Sequence, residues 1–483
     1  MSSLAPRLVV QTDARARRRK STLLESLVHA SVPEYLAAGS VTLVRAGESF
    51  GHKTLLQAAV IAIFLFAILW AIPRQSRGSF ANPRVALLLL FVGNIAVALV
   101  RGADHGTYGN VTSAAGKAVL YSLVALFGVS LITTADDAET RDRRLLALVL
   151  ALPLYAATNL LLHLGGMQNP NPAGATAGTS SQLAGLIGIS SGREVFPLTT
   201  SINLYSIVVG AAVAATGVLR LRAPRWCPRW LVALVTVICV YELLVGDSRT
   251  EVVVALGVVL VFALFKRFKG SQWVAIVIPA LPLIVLGLLH VVATTGIANA
   301  FNRSTAGQNQ FGSVVTGTGR VDIWQGAWHV LRHLQLQEIF GWGAGGHITS
   351  GASLQYAYVF PRDPLGYTEF THSLPIQTVL DEGVVGLLLL MAAMWMTFSS
   401  LRTHVRQNPQ SPAIALAAIL VVFVACGATE VSITYYAEEV LLMALLIMGA
   451  AAGLAVRSHP PLPNGSDFET TMRRSRLPTG RGL

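Results

Sequence analysis

The sequence predicts an all-α polytopic membrane protein, and three observations carry that prediction. Hydrophobic residues make up 53% of the 483 residues and charged residues 12%, with a mean hydropathy of +0.58, whereas soluble domains carry about a quarter charged residues. Apolar runs of about twenty residues, the length at which a helix crosses a hydrocarbon core, recur along the chain. Lys and Arg gather in short runs beside those segments, which is the positive-inside pattern. The formal net charge of +12 is therefore read as membrane orientation, with the bilayer as partner. Nucleic-acid binding is not expected, because that function gathers basic residues on one face of a soluble domain.

Residues 1–53 combine a basic run, Arg15 to Lys20, with a semi-polar amphipathic stretch or extra membrane segment. No apolar core follows the basic run at once, so a cleaved signal peptide is not expected. Eleven apolar spans follow, at 54–72, 85–100, 117–135, 145–164, 199–219, 229–246, 252–268, 273–296, 379–400, 412–428 and 439–456. They divide the chain into a first transmembrane bundle (54–296), an extracytoplasmic loop domain (297–377), C-terminal transmembrane helices (378–456) and a basic, Pro-containing tail (457–483) expected to be disordered and cytoplasmic. The polar insert is rich in Gly, Asn, Gln, Thr, Tyr and Trp and is expected to carry amphipathic helices.

Basic loops set the orientation. Arg74, Arg77 and Arg84, Arg141 to Arg144, Arg220 to Arg229, Lys266 to Lys269, and Arg402 and Arg406 are all placed inside. The segments around Asp247, the insert and Glu430 to Glu439 then face outward. This parity leaves the basic N-terminus outside unless Leu23 to Val44 crosses or re-enters the membrane, so about 11–12 transmembrane helices are expected. Glu25, His29 and Glu34 make that stretch a poor span by composition. Cys227, Cys239 and Cys426 lie in or beside apolar segments without metal-ligand spacing, so neither a disulfide nor a metal site is expected.

Three helix starts fall on the outward face. In Gly246-Asp247-Ser248-Arg249-Thr250-Glu251, the Ser248 and Glu251 spacing is a capping box that places Arg249 in a first helical turn. Arg249 could equally snorkel to the surface or pair with Asp247. In Thr316-Gly317-Thr318-Gly319-Arg320, the positions Val321, Trp324, Trp328, Leu331 and Leu334 recur at helical spacing, so an amphipathic helix starts near Arg320. It could also be a plain interfacial helix with a solvated Arg. In Thr371-His372-Ser373-Leu374-Pro375, Ser373 fits an N-cap and Pro375 a first turn, with His372 at the helix mouth. A lone interfacial His is the bland alternative. Together these starts place two guanidinium groups and an imidazole where helix N-termini favour anions. Two arginines can grip a diphosphate bidentately. Gly341 to Gly346 lacks the Lys-Ser/Thr pair of a nucleotide P-loop.

These segments resemble the O-antigen ligase and O-antigen polymerase superfamily of bacterial envelope proteins. The likeness rests on GDSRT (246–250), on TGTGRVDIWQGAWHVLRHLQLQEIFGWGAGG (316–346) and on THSLPIQTVLDEGVVGLLLL (371–390), and it spans roughly residues 231–401. It implies a GT-C-like glycosyltransferase in the bacterial cytoplasmic membrane with its active site outward. Such an enzyme moves a glycan from a polyprenyl-diphosphate-linked donor to a glycan or glycolipid acceptor, inverting, with no cofactor and no obligatory metal. By resemblance Arg249 and Arg320 bind the donor diphosphate and His372 activates the acceptor hydroxyl. Ser248, Asp247, Trp324, Ser373 and Glu369 are supporting candidates, and Asp381, Glu430, Glu438 and Glu439, with Glu369, are reserve bases. The chain departs from the pattern in Ser373 after the His, in Leu334 to Gln337 before the Gly-rich turn, and in Asp381. Ligase-like activity is the first expectation and a polymerase the second. A lipid-linked glycan transporter or flippase is the reading from another class, and a membrane scaffold explains the outward Arg, Arg and His set least well.

Overall fold

The protein is represented by a computed structural model that describes residues 32–49, 53–71, 82–169, 194–199, 201–222, 229–246, 248–264, 273, 277, 320–333, 335–359 and 370–458. Among the described residues the regular structure is helical throughout. In chain order the helices are α1 (Val32–Ser49), α2 (Lys53–Ala71), α3 (Pro83–Asp104), α4 (Val111–Thr133), α5 (Ala138–Leu164), α6 (Ile202–Arg222), α7 (Arg229–Val245) and α8 (Arg249–Leu264). They continue with α9 (Arg320–Leu331), α10 (Leu336–Phe340), α11 (Gly346–Thr349), α12 (Ala352–Tyr356), α13 (Leu374–Gln407), α14 (Ala413–Cys426) and α15 (Glu438–Ser458).

Six of these, α3, α4, α5, α6, α13 and α15, are long and apolar enough to cross a membrane, and α2, α7 and α14 carry shorter apolar stretches. Helix α8 falls on the predicted span 252–268. The predicted span 273–296 lies outside the described residues except at Trp273 and Val277. The ends follow local rules. Asn82, Asn110 and Asp137 cap α3, α4 and α5 by accepting from Arg84, Ser113 and Thr140 backbone N–H groups, which satisfies donors a helix start leaves open.

Helices α15 and α6 form the centre, with 94% and 89% of their apolar windows buried. Lipid removes the hydrophobic drive between helices, so close backbone packing has to replace it. Helix α15 crosses α4 where two glycines face each other. A Cβ on Gly449 would lie 2.3 Å from the Ala125 carbonyl oxygen, and one on Gly128 would lie 2.6 Å from that of Leu446. Outward positions such as Leu90 and Phe66 are exposed and apolar, as a lipid-facing surface requires.

The N-terminal helix α1 is part of this bundle and packs along α5. Its Ala37 and Val41 are fully buried. At its C-terminal end Arg45 pairs with Glu438 at 3.1 Å and Glu439 at 3.4 Å, at the head of α15, and donates to the Leu198 carbonyl at 3.2 Å. Hydropathy undervalues this helix because its charges are paired inside the protein.

Side-chain contacts sort the bundle into two ends. At one, Asp142 at the start of α5 accepts from Asn408 (2.7 Å) and Ser411 (2.8 Å) after α13, and Arg84 donates to Ser400 (2.8 Å). The heads of α8, α13 and α15 and the tail of α3 lie at the other, where Arg101 donates to the Phe340 carbonyl at 3.1 Å. Among the described residues, Arg84 and the Asp142 to Ser411 contacts therefore lie at the end opposite α10 and the heads of α8, α13 and α15. Replacing Gly449 by Leu forces α15 off α4 and is expected to destabilise the protein by about 2–3 kcal/mol, read as a lowered Tm in detergent or nanodiscs against Gly257→Leu, whose site has open space.

Candidate active site

Helix α9 begins at Arg320, as its apolar spacing predicts, and presents Ile323, Trp324, Ala327 and Leu331 to Ala352, Tyr356, Ile376 and Leu380. Trp328 on the other face is 49% exposed. The packing joins two segments that the sequence separates widely. The Trp324 indole N–H donates to the Thr371 carbonyl at 3.0 Å, one residue ahead of His372.

His372 adopts φ 48°, the one non-glycine residue with positive φ among the described residues. An L-residue there stands about 1–2 kcal/mol above its right-handed alternative, so its neighbours must hold it. Leu374 N–H donates to the Gly427 carbonyl at 2.8 Å and Thr371 Oγ1 to the Ser373 carbonyl at 3.3 Å. Ser373 occupies the N-cap position of α13 and Pro375 its first turn, as expected, but the Ser373 hydroxyl makes no cap bond.

Glu430, 3% exposed in the link between α14 and α15, joins the two predicted residues. One carboxylate oxygen accepts from Arg320 Nη2 at 2.5 Å and the other is 3.0 Å from His372 Nδ1. Burial pushes the Glu430 carboxyl up, but the hydrogen bond and charge of His372 and the charge and hydrogen bond of Arg320 outweigh it and hold the group below the ordinary glutamate value. An ionised carboxylate only accepts, so His372 Nδ1 carries the proton. In a neutral imidazole that leaves Nε2 as an acceptor.

The head of α8 lies beside this group. Ser248 sits at its N-cap position, its carbonyl accepts from Val252 N–H at 3.2 Å, and its hydroxyl bonds the Glu251 carboxyl. Glu251, 4% exposed, lies within electrostatic reach of both Glu430 and Arg320. Arg249 is exposed in the same first turn. Asp247 and Glu369 lie outside the described residues.

The Gly-rich turn after α10 is structural. Helix α13 breaks at Gly383 (φ 75°, ψ 179°), and the carbonyls of Leu380 and Asp381 accept from Trp342 N–H (2.8 Å) and Gly343 N–H (2.9 Å). A Cβ at Gly383 would come within 2.1 Å of the Ile339 carbonyl oxygen. The next three N–H groups are also engaged, Ala344 with the Ala98 carbonyl (2.7 Å), Gly345 with the Tyr436 hydroxyl (2.7 Å) and Gly346 with Asp381 Oδ1 (2.7 Å). These N–H groups are spent on the protein, which explains why a Gly-rich segment here does not act as a phosphate cradle.

The reserve carboxylates separate on the same grounds. Asp381 accepts from Gly346 and Gln377, and Glu438 and Glu439 pair with Arg45. Glu430, a reserve base by sequence, contacts both His372 and Arg320. Its outward position was the one available signal. Among the described residues no three His, Cys, Asp or Glu side chains are grouped to hold a metal ion.

Glu430 gives a pH test. Its folded pKa is depressed, so its contribution to stability is full above the unfolded glutamate value and disappears as pH falls through the lower folded value. Glu430→Gln is expected to lower stability by about 1–2 kcal/mol at neutral pH, discounted because the Arg320 side chain is 25% exposed. The difference from wild type should close on acidification below the ordinary carboxylate range, as measured by Tm against pH for both proteins.

No curated protein matches the chain. Residues 234–391 match the family model described as O-Antigen ligase. That stretch carries Ser248, Arg249, Arg320, Trp324, His372 and Ser373 and ends before Glu430. Over that stretch, about a third of its length, the chain is similar to the O-antigen ligase family.

Proposed function

We propose that this chain is a ligase-like glycosyltransferase that moves a glycan from a polyprenyl-diphosphate carrier to an acceptor hydroxyl on the outer face of a bacterial cytoplasmic membrane. The observation that carries the reading is the contact of Glu430 with both His372 Nδ1 and Arg320. When that imidazole is neutral its Nε2 is an acceptor, and it lies with the guanidinium at the end of the bundle opposite Arg84, Asp142 and Ser411.

In the proposed reaction the acceptor hydroxyl oxygen forms a bond to the anomeric carbon while the bond from that carbon to the diphosphate oxygen breaks. The bonding pair leaves with the diphosphate, and the hydroxyl proton passes to His372 Nε2. Arg320 and Arg249 stabilise the charge that develops on the leaving phosphate. Glu430 orients the imidazole and stabilises the imidazolium. A single displacement of this kind inverts the anomeric centre.

The positive-inside rule supports the orientation, since Arg84, Arg141, Arg143, Arg144, Arg402 and Arg406 belong to the end opposite His372. On this reading α1 is the twelfth crossing, which returns the basic N-terminus to the cytoplasm. The break in α13 does not favour a transporter, because the carbonyls it frees are taken by Trp342 and Gly343, whereas transporters use such carbonyls for ions.

With purified protein and a synthetic polyprenyl-diphosphate glycan, His372→Ala and Arg320→Ala are each expected to lower kcat about a hundredfold or more. Normal turnover in both folded variants removes the reading. A single transfer product indicates a ligase and a ladder indicates a polymerase. Topology is tested separately after replacing the native cysteines: an impermeant maleimide on intact spheroplasts is expected to label Thr112→Cys and to spare Gln410→Cys and Val32→Cys.

A further inference from the structure

His372 sits in the left-handed region, which an L-residue adopts at a cost, and the groups that flank it show what holds it there. All three polar groups of Thr371 are engaged. Its carbonyl accepts from Trp324, its hydroxyl donates to the Ser373 carbonyl, and its N–H donates to Gln377 Oε1 at 3.0 Å. Gln377 is one of the most buried polar residues described, at 0% exposure. With Oε1 committed to Thr371, its Nε2 faces Asp381 Oδ1 and His347 Nδ1, both at 2.9 Å. Two N–H groups meet two acceptors and the oxygen meets a donor, so the orientation of the amide is fixed.

Both acceptors belong to the rigid part of the site. Asp381 also holds Gly346 N–H, and His347, 2% exposed, lies in α11 directly after the Gly-rich turn. A second route runs in parallel through rings. His347 meets Tyr436 edge-on at 6.0 Å, Tyr436 stacks on Phe370 at 5.8 Å, and Phe370 lies 4.8 Å from His372. The charged groups around His372 are Glu430 from the α14–α15 link, Arg320 of α9 through Glu430, and Glu251 of α8 within reach of both. Gln377 touches none of these. Its side-chain bonds run to the backbone ahead of His372 and to the packed turn behind it.

We infer that Gln377 is the positioning residue that ties the backbone before His372 to the Gly-rich turn and so holds the left-handed turn that presents His372 to Glu430. The inference rests on the proposed role of His372 as the base, and its test separates the two. Removing the amide unties the Thr371 N–H from the Gly-rich turn, the imidazole loses its register with Glu430, and the acceptor hydroxyl loses an aligned base while donor binding at the arginines is untouched.

The variant is Gln377→Met, close in volume and without either bond, made in the full chain in nanodiscs. The Tm shift caused by Glu430→Gln is measured in the wild-type and Gln377→Met backgrounds. If Gln377 holds His372 onto Glu430, the shift falls to half or less in the second background. An unchanged shift overturns the inference whether or not the protein transfers glycan. In the transfer assay, Gln377→Met is expected to lower kcat tenfold to a hundredfold with the donor KM within about threefold. Wild-type kcat in the folded variant also overturns the inference, whereas absence of transfer by the wild-type protein refutes the proposed reaction and leaves the Tm cycle to decide the positioning role. If Gln377→Met does not fold, Gln377→Asn goes through the same cycle with the same expectation, since it keeps a buried amide but draws it one methylene back from Thr371.

Discussion

A carboxylate buried at the end of a helical bundle is tolerable only if partners meet it, and Glu430 is such a group, at 3% exposure. Desolvating one unpaired ion costs several kcal/mol. Its two partners come from 110 and 58 residues away in sequence. The requirement therefore acts on the fold. The first turn of α9 and the mouth of α13 must both arrive at the link between α14 and α15, and the polar insert is drawn down onto the bundle at that point.

The rest of the insert meets the bundle mainly through backbone hydrogen bonds. Gly383 interrupts α13, two carbonyls turn outward, and the N–H groups of Trp342 and Gly343 dock on them while Ala344 docks on α3. This mode of attachment suits a protein in lipid, where apolar burial discriminates poorly between helices but an unsatisfied polar group is expensive. It also fixes position sharply, because a backbone bond that slips by one residue meets a side chain. The Gly-rich turn and the break in α13 are joined to the left-handed His372 through Asp381, Gln377 and Thr371.

Much of this was legible in the sequence, and the boundary of legibility is physical. Apolar spans are written locally, so ten of the eleven predicted ones fall on described helices, the eleventh lying almost wholly outside the described residues. The helix starts at Arg320 and Leu374 follow from spacing, Ser373 and Pro375, which are also local. Glu430 was not legible as a partner, because it sits among small and β-branched residues in a short connection and its importance depends on two distant side chains. Helix α1 was ambiguous because Glu25, His29 and Glu34 make 23–44 a poor span by composition, and the ion pairs that tie its end into the bundle, Arg45 with Glu438 and Glu439, form across almost four hundred residues of sequence. The break at Gly383 was hidden because nothing local distinguishes a helical glycine from one whose carbonyl neighbours dock a turn.

Pairing Arg320 with Glu430 looks at first like a poor arrangement for binding a diphosphate, since the carboxylate neutralises the cation and repels the ligand. On the proposed reaction the balance runs the other way. A guanidinium has five N–H donors, so a bond at one nitrogen leaves others for phosphate and removes the entropy of a long side chain. Before the donor arrives, Glu430 compensates cations that would otherwise repel one another in a poorly hydrated site. During transfer the proton moves to His372, and the hydrogen bond from a neutral imidazole to the Glu430 carboxylate becomes an ion pair at the moment when charge also leaves with the diphosphate. The carboxylate is thus worth least in the resting complex and most in the transition state, and only an interaction with that difference accelerates the chemical step.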